Sequence, residues 1–189
     1  MFINSKQYVY YMQTLELLGA GKKAKLLEGL LFRANAEIKI RNLANKLKIN
    51  PGYLSVFVKR LKKEGLIKNG RIAIEEPRIR ALKILLNVDR LRGALPRLNK
   101  SFLGIGIYGS WAKGTNTENS DLDVWIKVSE EPAVQKLSEI RRILREVTGA
   151  VEVSIVVLSK ERVENIRAKD PVFYSSLLNS FHLRGEFID

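Results

Sequence analysis

The chain of 189 residues contains no cysteine and a single histidine, His182. Disulfides and thiolate metal centres are thereby excluded, and one imidazole cannot assemble a zinc site. No apolar run approaches the roughly 20 residues needed to span a bilayer. The N-terminus lacks an apolar signal core, so the expected compartment is the cytoplasm. Internal repeats and low-complexity tracts are absent as well. Acidic residues are scarce in one half only. Residues 1–100 hold 7 Asp/Glu against 22 Lys/Arg, a net of +15, and residues 101–189 hold 13 against 11, a net of −2. The whole excess of this +13 chain therefore lies in its first half, the asymmetry expected of a module that binds a polyanion. A Lys- and Glu-rich surface of the thermophile kind would account for the charge content but not for its one-sided sign.

What is present describes a folded globular chain, 46% hydrophobic and 28% charged, long enough for one large domain or two small ones. Tyr8, Tyr11, Met12, Leu15 and Leu18 recur three and four apart, so residues 4–18 are expected to form an amphipathic helix. Gly19 to Lys23 break it, and a second helix near 22–33 packs Leu26, Leu27, Leu30 and Leu31. A short helix from Ile38 to Leu47 presents Ile40, Leu43, Ala44 and Leu47. Asn50 is placed to cap the next helix, with Pro51 at its first position. That helix, about 51–64, buries Leu54, Phe57, Val58 and Leu61 before Gly65 ends it. Two short apolar segments then flank Asn69-Gly70, a strong signal for a two-residue hairpin.

Helix, helix, turn, helix and hairpin in this order resembles a winged helix-turn-helix domain. The resemblance covers about 22–76 and implies that the helix at 51–64 enters a major groove while the hairpin rides the backbone. The nucleic-acid-binding residues would then be Tyr53, Ser55, Lys59, Arg60, Lys62 and Lys63 on the helix and Lys68 and Arg71 at the wing. The cations suit phosphates, whereas Tyr53, Ser55 and Arg60 are candidates for base edges. Such domains also serve in dimerisation or protein docking. Binding as a homodimer would make the helix at 4–18 the candidate interface.

Pro77 opens a connecting helix to about Val88, and a second segment follows from Val88 to Leu98. The expected division is 1–76 for the first domain, 77–99 for a helical linker and 100–189 for the second domain. The second domain alternates elements: a strand at Leu103–Tyr108, another at Leu122–Val128, a helix from Pro132 to about Val147, and a third strand from Ala150 to Leu158. Helices at 160–168 and 171–179 and a short strand around Leu183 complete it. The fold class is mixed α/β, a small mixed sheet flanked by helices.

The chemistry concentrates in residues 102–126. An apolar strand runs into Gly109-Ser110, a short helix follows with Lys113 and Gly114, and ten residues separate Ser110 from Asp121. Asp123 lies two further on, along a second apolar run. Carboxylates at i and i+2 of a strand share one face of the sheet. A Gly-Ser turn ahead of a helix offers backbone N–H groups to a phosphate. Together they describe a site for a metal-bound nucleoside triphosphate.

Gly-Ser, a spacer and Asp-x-Asp resemble the nucleotidyltransferase superfamily of polymerase beta type, and the ten-residue spacer matches its minimal branch. The resemblance implies a two-metal site for Mg²⁺, with Mn²⁺ as a substitute, and ATP or another nucleoside triphosphate as donor. Asp121 and Asp123 would bridge the metals. Glu152, the one acid in the third strand, would be the third ligand, where the family usually has aspartate. Gly109, Ser110, Lys113 and Gly114 would bind the triphosphate. Minimal members often act as antitoxins that adenylylate a partner toxin, so a protein acceptor is implied. Two other readings stand beside this one: a DNA-binding regulator whose second domain senses a nucleotide without catalysis, and a transferase acting on RNA or tRNA. His182 reads as structural, and Lys160, Glu161, Arg162 and Glu164 as a solvated helix face.

Overall fold

In the computed structural model, residues 21–33, 36–98, 102–130 and 132–188 are described, the side chains of 21–25 excepted. The helix expected at 4–18 lies outside them. The chain divides into two compact units, one ending at Leu86 and the other beginning at Asn87.

The first unit contains α1 (Gly21–Leu31), α2 (Ile40–Leu47), α3 (Pro51–Lys63), and the paired strands β1 (Ile67–Lys68) and β2 (Arg71–Ile72). Asn50 caps α3 as expected, its side chain accepting from the N–H groups of Gly52 at 2.8 Å and Tyr53 at 3.2 Å. The turn between α2 and α3 passes through Lys48 in the left-handed region, φ 54°. In the hairpin, Ile67 pairs with Ile72 and Lys68 with Arg71. Asn69 and Gly70 both have positive φ, 50° and 72°, the conformation a two-residue turn between right-twisted strands requires. Leu26, Leu30, Leu43, Leu54, Val58, Leu61, Ile67 and Ile72 form the core, joined by Ile79 and Leu86 from the helix that follows.

That helix, α4 (Pro77–Ala94), is continuous. The division expected near Val88 is absent, because nothing at 87–89 breaks a helix. Pro96, which cannot sit in an α-helical interior, falls instead in a 3₁₀ turn at Leu95–Arg97. The boundary between the two units therefore lies inside a helix, between Leu86 and Asn87.

Lys83 on α4 is fully buried, with its ammonium 5.7 Å from the centre of the Phe32 ring. Burial disfavours the charged form and pushes its pKa down to about 8. In the unfolded chain this lysine titrates near 10.5, so the folded state binds fewer protons between those two values. Its cost to stability is full below pH 8 and vanishes as pH rises past 10.5. Relative to the wild type, Lys83→Met should gain about 2–3 kcal/mol near neutrality over its standing at high pH. Urea unfolding of both proteins at the two pH values measures this. A difference that does not change with pH would refute it.

The second unit is a four-stranded mixed sheet in the order β5-β4-β3-β6. β3 (Gly104–Ile107) runs antiparallel to β4 (Leu122–Lys127) and to β6 (Phe181–Gly185), while β4 and β5 (Val153–Leu158) are parallel. Between them come α5 (Gly109–Lys113), α6 (Val134–Thr148), α7 (Lys160–Lys169) and α8 (Pro171–Leu178). Alternation along β4 puts Leu122, Val124 and Ile126 on one face, all buried. The other face carries Asp123 and Trp125, with Asp121 one step before the strand. On that face Trp125 packs with Leu158, Val163 of α7 and Leu177 of α8. The acidic end of the same face lies beyond this cluster, and Asp121 is exposed. The mixed α/β architecture expected from the sequence is thus the one observed.

Candidate nucleotidyl-transfer site

β3 ends at Ile107, Tyr108 caps the five-residue helix α5, and Gly109 opens it. Gly109 has φ +64°, and a Cβ built there would collide with Oδ2 of Asp123. Glycine is required twice over at this position, by the backbone and by the carboxylate seated against it. The N–H of Tyr108 donates to the carbonyl of Asp123 at 3.1 Å, which pins the start of α5 to β4. The two separated halves of the motif, Gly109-Ser110 and Asp121-Leu122-Asp123, therefore meet.

The connecting loop is built from its own polar groups. The carbonyl of Ser110 accepts from the N–H groups of Thr115 at 3.0 Å and Asn116 at 3.2 Å. Thr117 N–H donates to Oγ of Ser120 at 2.8 Å, and Ser120 N–H returns to the Thr117 carbonyl at 3.1 Å. Ser120 thus sets the turn that delivers Asp121. Gly114, at φ 65°, closes α5 in the left-handed conformation, and Lys113 in the last turn is exposed.

Electrostatics mark the acid pair. Burial raises the pKa of Asp123, and the nearby charge of Asp121 raises it further. Tyr108 is pushed up to about 12, by burial first and then by the charge of Asp123. The edge of its ring meets that of Phe173 on α8, with centroids 5.8 Å apart. Tyr108 was not singled out from the sequence, where it reads as the end of an apolar strand.

Glu152 is placed differently from the expectation. The third strand begins at Val153 rather than Ala150, and Glu152 precedes it, exposed to solvent. Its carboxylate is therefore solvated rather than enclosed in an apolar strand. Its position remains informative. Leu122 pairs with Val153, and the N–H of Leu122 donates to the Glu152 carbonyl at 2.9 Å. One step back in this parallel register, Glu152 stands opposite Asp121, and Ser154 stands opposite Asp123. Among the described residues, no three acidic or histidine side chains form a group that could hold a metal ion. Asp121 and Asp123 come together, and Glu152 does not converge with them. His182 is held between the rings of Trp125 (6.0 Å) and Phe187 (4.1 Å), in keeping with the structural role expected of it.

In the first unit, Tyr53, Lys59, Arg60, Lys62, Lys63, Lys68 and Arg71 are exposed. Ser55 is half-buried, on the flank of α3 rather than on its open face. Val56, 53% exposed, takes the place between Tyr53 and Arg60 that was expected of Ser55. An apolar residue next to Phe57 and Val58 reads as core, which is why it was missed. Lys68 and Arg71 are register partners in the hairpin. Like charges directly opposite on a two-stranded ribbon repel. Lys62 and Lys63 in the last turn of α3 favour the helix dipole as well as any anionic ligand.

Comparison with known families agrees with this architecture. Residues 88–180 match the model of the nucleotidyltransferase domain, and residues 30–68 match that of the winged helix-turn-helix DNA-binding domain. The matched order is a winged helix-turn-helix followed by a nucleotidyltransferase domain. No curated protein and no solved structure matches it. Among the described residues no helix is long and apolar enough to cross a membrane.

Proposed function

We propose that the second unit transfers a nucleoside monophosphate, AMP from ATP, to a hydroxyl acceptor, and that the first unit binds duplex DNA. The observation that carries the transferase reading is the Asp123 carboxylate packed against Gly109 with the Asp121 charge beside it. Two anions brought together where burial already penalises charge form a site that a cation relieves. The donors are hard carboxylate oxygens, which suit Mg²⁺ or Mn²⁺. Glu152 is open to solvent and does not join the pair, so it is Asp121 and Asp123 that would hold the metal. When bound, it supplies charge neutralisation on the phosphates and activation of the acceptor hydroxyl. Backbone N–H groups at Gly109 and Ser110, the Ser110 hydroxyl and the Lys113 ammonium would orient the triphosphate. A protein side chain, such as one on a partner toxin, is the acceptor class implied by resemblance to the minimal branch.

A second reading is supported by one observation. Glu152 is exposed and does not join the acid pair. That arrangement suits a regulator whose nucleotidyltransferase domain binds a nucleotide without turning it over. Incubation with Mg²⁺, α-labelled ATP and host lysate separates the two. Label on a macromolecular acceptor, absent when Asp121 is replaced by Ala, is the outcome expected of an enzyme. Nucleotide binding with no labelled product would favour the sensor.

For the winged helix, the logarithm of affinity for random duplex DNA should fall linearly with the logarithm of salt concentration. Each phosphate contact contributes a slope of about −0.9. Replacing Lys68 and Arg71 by Ala should flatten the slope by about two units. An unchanged slope would remove the wing from the interface.

A further inference from the structure

Two side-chain amides, Asn87 and Asn116, are completely buried in the second unit. Asn87 lies on α4, and Asn116 in the loop that carries the chain from α5 to Asp121. The Asn87 amide group donates both of its protons, to the Asn116 side-chain oxygen at 2.9 Å and to the Trp111 carbonyl at 2.9 Å. Its own oxygen accepts from the Asn116 amide at 3.3 Å. Helix α5 has only five residues, so its final carbonyls have no intrahelical partner. Asn87 satisfies one of them.

A single amide thus holds both halves of the site. Through Trp111 it ties down the helix that begins with Gly109-Ser110. Through Asn116 it ties down the loop that leads to Asp121 and Asp123. Burying two carboxamides brings little net stability over a well-packed apolar pair, because each must first be stripped of water. What paired amides do confer is a single geometry, since only one arrangement satisfies every donor and acceptor.

We propose that Asn87, acting through Asn116 and the Trp111 carbonyl, is a positioning residue that sets the distance between the phosphate-binding turn and the acid pair. This rests on the transferase-fold site binding a nucleoside triphosphate, as argued above. Neither asparagine touches the nucleotide. Each acts on the backbone that does.

The test uses the full chain and its Asn87→Ala, Asn116→Ser and doubly substituted variants. Binding of β,γ-imido-ATP with Mg²⁺ is measured by calorimetry alongside thermal unfolding. Each single variant should bind the nucleotide about tenfold or more weakly while still melting cooperatively, because a small misplacement of aligned groups is costly. The double variant should lose scarcely more than either single one, as expected of residues that act as a unit. Lowered melting temperatures with unchanged nucleotide affinity would mean a purely structural clamp and overturn the proposal. Should Asn87→Ala fail to fold, Asn116→Ser, which keeps the Asn87 bond to Trp111, decides alone by the same criterion. If the wild type itself binds no nucleotide, the reading of the site fails first and takes the proposal with it. Wild-type binding matched by the variants sinks the positioning role only.

Discussion

Asp123→Asn is expected to abolish nucleotidyl transfer, by roughly a thousandfold or more, while making the metal-free protein more stable. The two effects have one cause. Asp123 is partly buried, faces the charge of Asp121, and has its pKa raised by both, burial more than charge. A carboxylate whose folded pKa exceeds the unfolded one favours folding when protonated. That contribution is present below the unfolded value of about 3.8 and is lost as pH climbs through the raised one. The Asn variant carries no charge to lose, so its advantage should be present near neutrality. The advantage should fade on acidification below pH 4. Adding Mg²⁺ should reverse the order, raising the melting temperature of the wild type and leaving the variant unmoved, because a ligand stabilises only the state that binds it. Transfer assays and thermal melts at two pH values, each with Mg²⁺ and with chelator, check every part. Wild-type activity in the Asn variant would end the transferase reading. Equal melting temperatures at all pH values would show that the acid pair is not strained.

Gly109→Ala is expected to damage activity out of proportion to the single methyl group it adds. The left-handed backbone at φ +64° costs an alanine about 1–2 kcal/mol. The new Cβ would also collide with Oδ2 of Asp123, and overpacking of this kind costs about 1–3 kcal/mol more. One of the two must move. If the backbone shifts, the first turn of α5 leaves the position from which it would hold the phosphates. If the carboxylate shifts, the acid pair opens. Either way, activity should fall by far more than the loss of about 2–5 kcal/mol in stability would explain in a protein still folded at assay temperature. Urea unfolding and single-turnover transfer separate the two losses. Gly65→Ala provides a comparison, because Gly65 also has positive φ, 73°, but its Cβ would meet nothing within 4 Å. It should show the backbone cost alone and retain activity.

Local chemistry made much of this molecule legible from its sequence. Asn50 before Pro51 specifies a capped helix start, and the cap is formed. Asn69-Gly70 specifies a tight hairpin, and both residues adopt positive φ. Asp170 before Pro171 likewise caps α8, accepting from the Phe173 N–H at 2.9 Å. In each case the signal and its consequence lie within three residues. Ser55 and Val56 show where this stops. Period alone cannot say which of two adjacent helix positions faces the core when the apolar stripe is wide. Glu152 shows a second limit. An acid within an apolar run reads as buried in a strand, but strand onset is set by pairing, and pairing begins at Val153.

The sequence by itself determined the two-module order, the one-sided charge and the Gly-Ser and Asp-x-Asp chemistry. Each is written in residue type and short spacing. Only the tertiary structure decided that Gly109 is the seat of the Asp123 carboxylate, and that Asn87 bridges to Asn116 across 29 positions of chain. It also decided that Glu152 stands opposite Asp121 yet open to solvent. Contacts of that kind depend on strand register and on the path of a loop. Both are settled by the packing of the whole unit, and neither leaves a local mark on the residues that make the contact.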